Sequence, residues 1–260
     1  MGRGLSMEAL NLRKIKPFDY SDDSGIQEQR IYFYCISEGA TEETYLKGIR
    51  NNRSELNIRN EVYIHIMEKE EGQETYSHPL QLVKAALVQM GHMDENGNEL
   101  PQSEWDKNCK WEEYDKETDQ VCVIFDRDYK KLEMCLDEIY DLCNKHGIKI
   151  VMSNPNFEFW LLMHFPNIDQ YSQEEIRANK KNLRHQIAVD ASTSKKFLEI
   201  QVAKNINGYT KGKKIKFEKF LPNIDLAIEQ ANLFCQDPQQ MKDNIGTAMG
   251  QLIKKIRSQI

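Results

Sequence analysis

The chain has 260 residues, with 41 acidic against 35 basic side chains for a net charge of -6, and 40% of it is apolar. That length fits one large domain or a domain with an appendage, and folding at this size removes roughly 70–75% of the unfolded chain's surface from water. The acidic total argues against a surface that binds nucleic acid throughout, leaving room only for a local basic site. No apolar run approaches the roughly 18 residues of a membrane span, and no apolar segment of the secretory kind follows the first basic residue. Six cysteines without a CxxC pair are expected to be reduced thiols in a cytoplasm rather than a zinc ribbon or a disulfide framework.

In chain order, residues 1–29 are polar and read as a loose arm. Ile31 to Ser37 is β-branched and aromatic without clean alternation, the pattern of a strand buried on both faces. Gly39 ends it, and Thr41, Glu43, Tyr45, Leu46 and Ile49 predict a helix. Val62 to Met67 reads as a second strand, and Pro79 to Leu87 as a helix with proline in its first turn. Residues 92–119 hold ten acidic and three basic side chains with little periodicity, a surface insertion. Val121 to Phe125 is the third strand. A helix is expected from Lys130 to Lys145, capped by Gly147, then a fourth strand from Ile148 to Met152 and a buried helix from Phe157 to Phe165. Beyond Pro166 no strand is expected. Helical periods occupy 171–207, 222–236 and 246–259, and residues 171–220 carry twelve Lys/Arg against five Asp/Glu. The organisation expected is an arm (1–29), an α/β core (30–166) whose parallel sheet has helices on both faces, and a basic helical C-terminal extension (167–260).

Ligand sites in open parallel sheets lie beyond the carboxyl ends of the strands. Glu38 and Glu42 follow the first strand, Asp126 and Asp128 the third, and Ser153-Asn154-Pro155-Asn156 with Glu158 the fourth. Gathered carboxylates repel unless a cation compensates them, and hard oxygen donors suit Mg²⁺ or Mn²⁺. Two such ions would clamp the attacking and leaving oxygens of a phosphodiester. Each piece has a plainer explanation: Asp128 as a helix cap, Glu42 as a solvated first-turn residue, Glu158 as a first-turn residue bonded to its own helix. Asn154 and Asn156 read as turn and cap residues. Tyr209, Lys211, Lys213 and Lys214 form a basic loop that holds phosphates, with Tyr209 stacking on a base, or else a solvated turn. The histidines have no metal-ligand spacing, and the chain has no P-loop and no G-x-S-x-G.

Four segments carry a family likeness. Ser37-Glu38-Gly39-Ala40-Thr41-Glu42-Glu43-Thr44-Tyr45-Leu46, Phe125-Asp126-Arg127-Asp128, and Ser153-Asn154-Pro155-Asn156-Phe157-Glu158-Phe159-Trp160-Leu161-Leu162-Met163-His164-Phe165 resemble, in order, the motifs of the RloB-like family. Gly208-Tyr209-Thr210-Lys211-Gly212 resembles its later Y-x-K segment. The resemblance implies a Toprim-like core, a role in abortive infection against phage, and a neighbouring ATPase of the RloA or AbiL kind. It places Glu38 at the strand-end glutamate of Toprim nucleases, Asp126 and Asp128 at their D-x-D pair, and Glu42 at the second acid of OLD-like nucleases. The S-N-P-x-F-E block is peculiar to the RloB-like group, which leaves Glu158 as a further metal ligand or as the orienter of a catalytic lysine, and Lys211 is counted separately among the candidate catalytic residues. The expectation is a Mg²⁺- or Mn²⁺-dependent nuclease acting on RNA, including tRNA, or DNA. Its rivals are a non-catalytic adaptor of an ATPase complex and an enzyme of nucleotide signals.

Overall fold

The four apolar runs form adjacent parallel strands, β1 (Ile31–Ser37), β2 (Val62–Met67), β3 (Gln120–Asp126) and β4 (Lys149–Asn154). The computed structural model describes residues 10–13, 30–70, 73, 78–127, 132–180 and 195–258. A fifth strand, β5 (Gly246–Thr247), pairs antiparallel with β4, giving the order β2-β1-β3-β4-β5. The expected α/β class, a mostly parallel sheet flanked by helices, is what the chain adopts.

Among the described residues the α-helices of four residues or more are α1 (Ala40–Asn51), α2 (Pro79–Gln89), the single turn α3 (Trp105–Asn108), α4 (Leu136–His146), α5 (Phe157–Leu162), α6 (Gln173–Ala178), α7 (Phe197–Asn205), α8 (Ile224–Ala231) and α9 (Met249–Arg257). Local chemistry sets their ends. Pro79 opens α2, where a missing N–H costs no helix bond. Gly147 closes α4 at φ 73°, a left-handed backbone that suits glycine. Glu42 and Glu43 lie in the first turn of α1 and Arg50 in its last, matching the helix dipole. α2 packs on α4 and β3, while α5 packs on α7, α8 and β4.

The strand order reverses between β1 and β3. The chain leaves β1 for β2 on one side, and β3 and β4 are added on the other. The segments that follow β1 and β3 therefore diverge, opening a crevice at their carboxyl ends. Around this frame a core of Phe33, Tyr45, Phe125, Phe157, Phe159, Trp160 and Phe220 is fully buried.

Several expectations need correction. Of the supposed loose arm, Leu10 and Leu12 are buried and Leu12 bridges antiparallel to Lys69, because two leucines give a short stretch enough apolar surface to dock on the open edge of β2. The rest of that arm, residues 1–9 and 14–29, lies outside the described residues. The C-terminal region does contain a strand, β5. It has no apolar run to announce it and is held by pairing: Asn154 Nδ2 donates to the carbonyls of Met241 (2.8 Å) and Asn244 (2.9 Å), and Ser153 and Thr247 share a hydroxyl bond of 2.9 Å. The acidic insertion is mostly exposed, but its Trp111 stacks on Tyr34 at 4.0 Å and its buried Asp119 accepts from the backbone of Tyr32 and Asp115. Turns over residues 133–135 interrupt the helix expected from Lys130 before α4 begins at Leu136 (residues 128–131 lie outside the described residues), α5 ends at Leu162, shorter than expected, and α6 and α7 are separate helices.

One close contact yields a stability test. A Cβ on Gly48 would lie 2.0 Å from the Phe217 ring, which packs edge-on against Tyr45. Gly48→Ala must displace that ring inside a filled core, at a cost of about 1–3 kcal/mol. Urea denaturation should show a lower midpoint with an unchanged slope.

Candidate functional site

The crevice between β1 and β3 gathers the acids. Ser37 pairs in register with Ile124, and the Glu38 amide donates to the Ile124 carbonyl (2.8 Å), carrying the ladder one residue past the strand. The Glu38 side chain then crosses to β3, where its Oε2 accepts the Asp126 amide at 3.0 Å. Asp126 Oδ1 is buried and has no hydrogen-bond partner among the described residues. Glu42, in the first turn of α1, is 6% exposed. Its carboxylate folds back over Gly39, where a Cβ would stand 2.7 Å from Glu42 Oε2. The glycine of the E-G-x-T-E segment leaves room for that approach.

A second group closes the crevice from the C-terminal side. Glu158, in the first turn of α5, is 2% exposed. Its Oε1 accepts from Lys211 Nζ at 2.7 Å and from the Tyr209 hydroxyl at 3.4 Å. Lys211 also pairs with Glu199 of α7 at 2.9 Å. The Gly212 amide donates to Thr41 Oγ1 at 2.9 Å, tying this segment to the start of α1.

The electrostatics follow from burial and from an excess of negative charge. Burial, then Glu158 and Glu38, push the Glu42 carboxyl up to about 7, with Lys211 working against them. Asp126 is raised well above the usual carboxylate range by burial and by Glu42, Glu38 and Glu158. Burial also raises Glu158, moderated by Lys211. Lys211 is raised, against the partial desolvation of its side chain, because Glu158 and Glu199 hold the ammonium. Burial and Glu158 keep the Tyr209 phenol protonated.

The structure thus brings Glu38, Glu42, Asp126, Glu158, Tyr209 and Lys211 together. Asp128 lies outside the described residues. Tyr209 is not a base-stacking platform: its ring is 6% exposed and its hydroxyl is turned inward to Glu158. Lys211 is not a loose surface cation, because two carboxylates engage it; Lys213 and Lys214 are exposed on the turn that follows. Asn154 fastens the loop before β5. Asn156 sits at the start of α5 without capping it, and its Oδ1 is buried with no partner among the described residues. His164 is a satisfied core residue. Its Nδ1 meets the Trp160 carbonyl (3.1 Å) and so carries the proton, leaving Nε2 to accept from the Tyr45 hydroxyl (2.9 Å). Burial lowers its pKa to about 3.

Three residues were not singled out from sequence: Thr41, Glu199 and Lys69. Lys69 lies two residues past β2, at a strand carboxyl end like the acids, and its Nζ donates to the Glu38 carbonyl at 2.6 Å. Position in the sheet was the available signal.

The donor set suits a hard divalent cation, since every candidate ligand is a carboxylate oxygen and Asp126 Oδ1 is buried without a partner. Among the described residues, no three His, Cys, Asp or Glu side chains stand close enough together to form a finished ligand set. No described helix is long and apolar enough to cross a membrane.

A family model described as "RloB-like protein" matches residues 33–256, which takes in all four parallel strands and the acid crevice, so the chain belongs to the RloB-like family. No curated protein and no solved structure matches it.

Proposed function

We propose that this RloB-like chain is a Mg²⁺- or Mn²⁺-dependent enzyme that cleaves phosphodiester bonds of nucleic acid, RNA or DNA, with a Toprim-like site, as part of abortive-infection defence against phage alongside an ATPase of the RloA or AbiL kind. The observation that supports this reading is the meeting of Glu38, Glu42, Asp126 and Glu158 at the strand-order reversal, with far more negative than positive charge. Glu38 and Asp126 would hold the cation, completed by Glu42 or by Asp128. The cation supplies charge neutralisation and polarisation of the phosphate. Glu38 is aimed by the Asp126 amide, and Glu158 fixes Lys211 at the border of the site. Where the cation is completed by Asp128, Glu42 would be the carboxylate at hand to take a proton.

A second reading, a non-catalytic adaptor of an ATPase assembly, draws support from the lack of a finished three-ligand set among the described residues. Purified protein incubated with labelled tRNA, single-stranded DNA and duplex DNA, each with Mg²⁺ or Mn²⁺, separates the two. The nuclease reading expects cleavage that needs the metal, and loss of both cleavage and Mn²⁺ binding heat in Asp126→Ala. No turnover together with unchanged Mn²⁺ binding in that variant overturns it, and a stable complex with the ATPase then favours the adaptor.

A further inference from the structure

Among the described residues, Lys211, Lys47 and Lys69 lie around the acid crevice, and they differ in what already holds them. Lys211 is paired with Glu158 and Glu199. Lys47 is paired with Glu43 at 2.5 Å and Glu68 at 2.7 Å. The Lys69 ammonium instead donates to a neutral acceptor, the Glu38 carbonyl, at 2.6 Å. Among the described residues it makes no ion pair within 4.0 Å, although the carboxylates of Glu38, Glu42 and Glu43 are close enough to act on it electrostatically. An ammonium has three N–H donors, so this contact leaves two for an incoming oxygen.

The backbone around Lys69 is held on both sides. Leu12 bridges to Lys69 itself, the Arg13 amide donates to the Glu68 carbonyl (2.8 Å), and the Glu70 amide donates to the Asn11 carbonyl (3.1 Å). Leu10 and Leu12 bury their side chains in the core. The N-terminal segment therefore fixes a residue that would otherwise lie in the loop after an edge strand.

We propose that Lys69 is the residue of this site that contacts a non-bridging phosphate oxygen of the substrate, and that residues 10–13 hold it in place to do so. The inference rests on the site taking a phosphate diester, as argued above. Lys69 stands on the β2 side of the acids and Lys211 on the opposite side, engaged with Glu158 and Glu199. A phosphate entering over Glu38 and Asp126 meets an ammonium that forms no ion pair among the described residues. A phosphate contact of this kind is a point-charge interaction, for which lysine is suited.

The test uses the full chain and a fluorescein-labelled single-stranded oligonucleotide, with Ca²⁺ replacing Mg²⁺ to limit turnover, and anisotropy read across a range of salt. Lys69→Gln should bind about tenfold more weakly or worse. Its plot of log affinity against log salt should flatten by roughly 0.7, the slope of one lost contact to a single strand. Lys69→Arg should keep most of the affinity and the slope. Mn²⁺ binding heat should be retained in Lys69→Gln, showing that the acids remain assembled. A lysine that only braced the Glu38 carbonyl would leave the salt slope unchanged, and that result overturns the proposal while leaving metal-dependent cleavage intact. If the wild-type chain neither binds nor cleaves any oligonucleotide, the parent reading and this one fail together. Should Lys69→Gln not fold, Lys69→Met, which keeps the packing of the stem, is read by the same two outcomes.

Discussion

Glu42→Gln is expected to be about 3 kcal/mol more stable than wild type at pH 8.5 without divalent metal, and no more stable than wild type at pH 4. Glu42 titrates near 4.5 in the unfolded chain and near 7 in the fold. A carboxyl raised on folding contributes stability that is fully present below the unfolded value and is lost as pH rises to the folded one. The window is therefore roughly pH 4.5 to 7, and its two and a half units correspond to about 3 kcal/mol. At 6% exposure, solvent screens little of this. The glutamine keeps the shape of the side chain and carries no charge, so the difference in unfolding free energy should open across that window and stay flat above it.

The comparison with wild type is needed because buried histidines titrate in the opposite sense. His164 and His92 have pKa values lowered to about 3 and about 4, chiefly by burial. The unfolded chain takes up these protons below about 6.5, so their contribution is lost as pH falls. Both proteins share it, and it cancels in the difference. Adding Mn²⁺ at pH 8.5 should stabilise wild type more than the variant and narrow the gap. A gap that does not change from pH 4 to pH 8.5 would show that neither burial nor the neighbouring carboxylates raise Glu42.

The second large effect concerns the pair beneath the acids. Lys211→Met should lower stability at pH 7.5 by about 3 kcal/mol, because it leaves Glu158 buried without its cation. The loss is greater than for a surface ion pair, since Glu158 is 2% exposed. Lys211 also links α5 to α7 through Glu199, and its neighbour Gly212 is bonded to Thr41. The double variant Glu158→Gln, Lys211→Met should recover a large part of the loss, because the unpaired charge is then gone. Urea denaturation of the two singles and the double gives the coupling directly. If Lys211→Met costs less than about 0.5 kcal/mol, as surface substitutions usually do, Lys211 is a solvated turn residue after all. Because Glu158 and Glu199 already neutralise this lysine, its removal should leave the salt dependence of oligonucleotide binding unchanged, in contrast to Lys69.

The stretch from 31 to 165 was legible because its signals are local. β1 to β4 are dense apolar and β-branched runs, α2 begins at a proline, and α4 ends at a glycine that must adopt a positive φ. The rule that ligands sit at strand carboxyl ends placed Glu38, Asp126 and Glu158 near one another before any coordinates. Sequence could not foresee elements held by long-range partners. β5 is two residues with no pattern of their own, fixed by Asn154, Ser153 and Thr247 across about ninety residues of chain. Leu12 reads as part of a polar arm until β2 offers it an edge.

The amino-acid order by itself determined the α/β class and the positions of β1 to β4, and marked the carboxylates that follow them as candidates, since periodicity, turn residues and side-chain type are properties of short segments. Tertiary structure alone decided the electrical state of the site. Whether a lysine is free or spent, and whether a carboxyl titrates near 4 or near 7, depends on burial and on charges brought from distant segments. Lys211 and Lys69 look alike in sequence. Glu158 and Glu199 claim the first, the second meets a backbone carbonyl and no ion-pair partner among the described residues, and folding makes that difference.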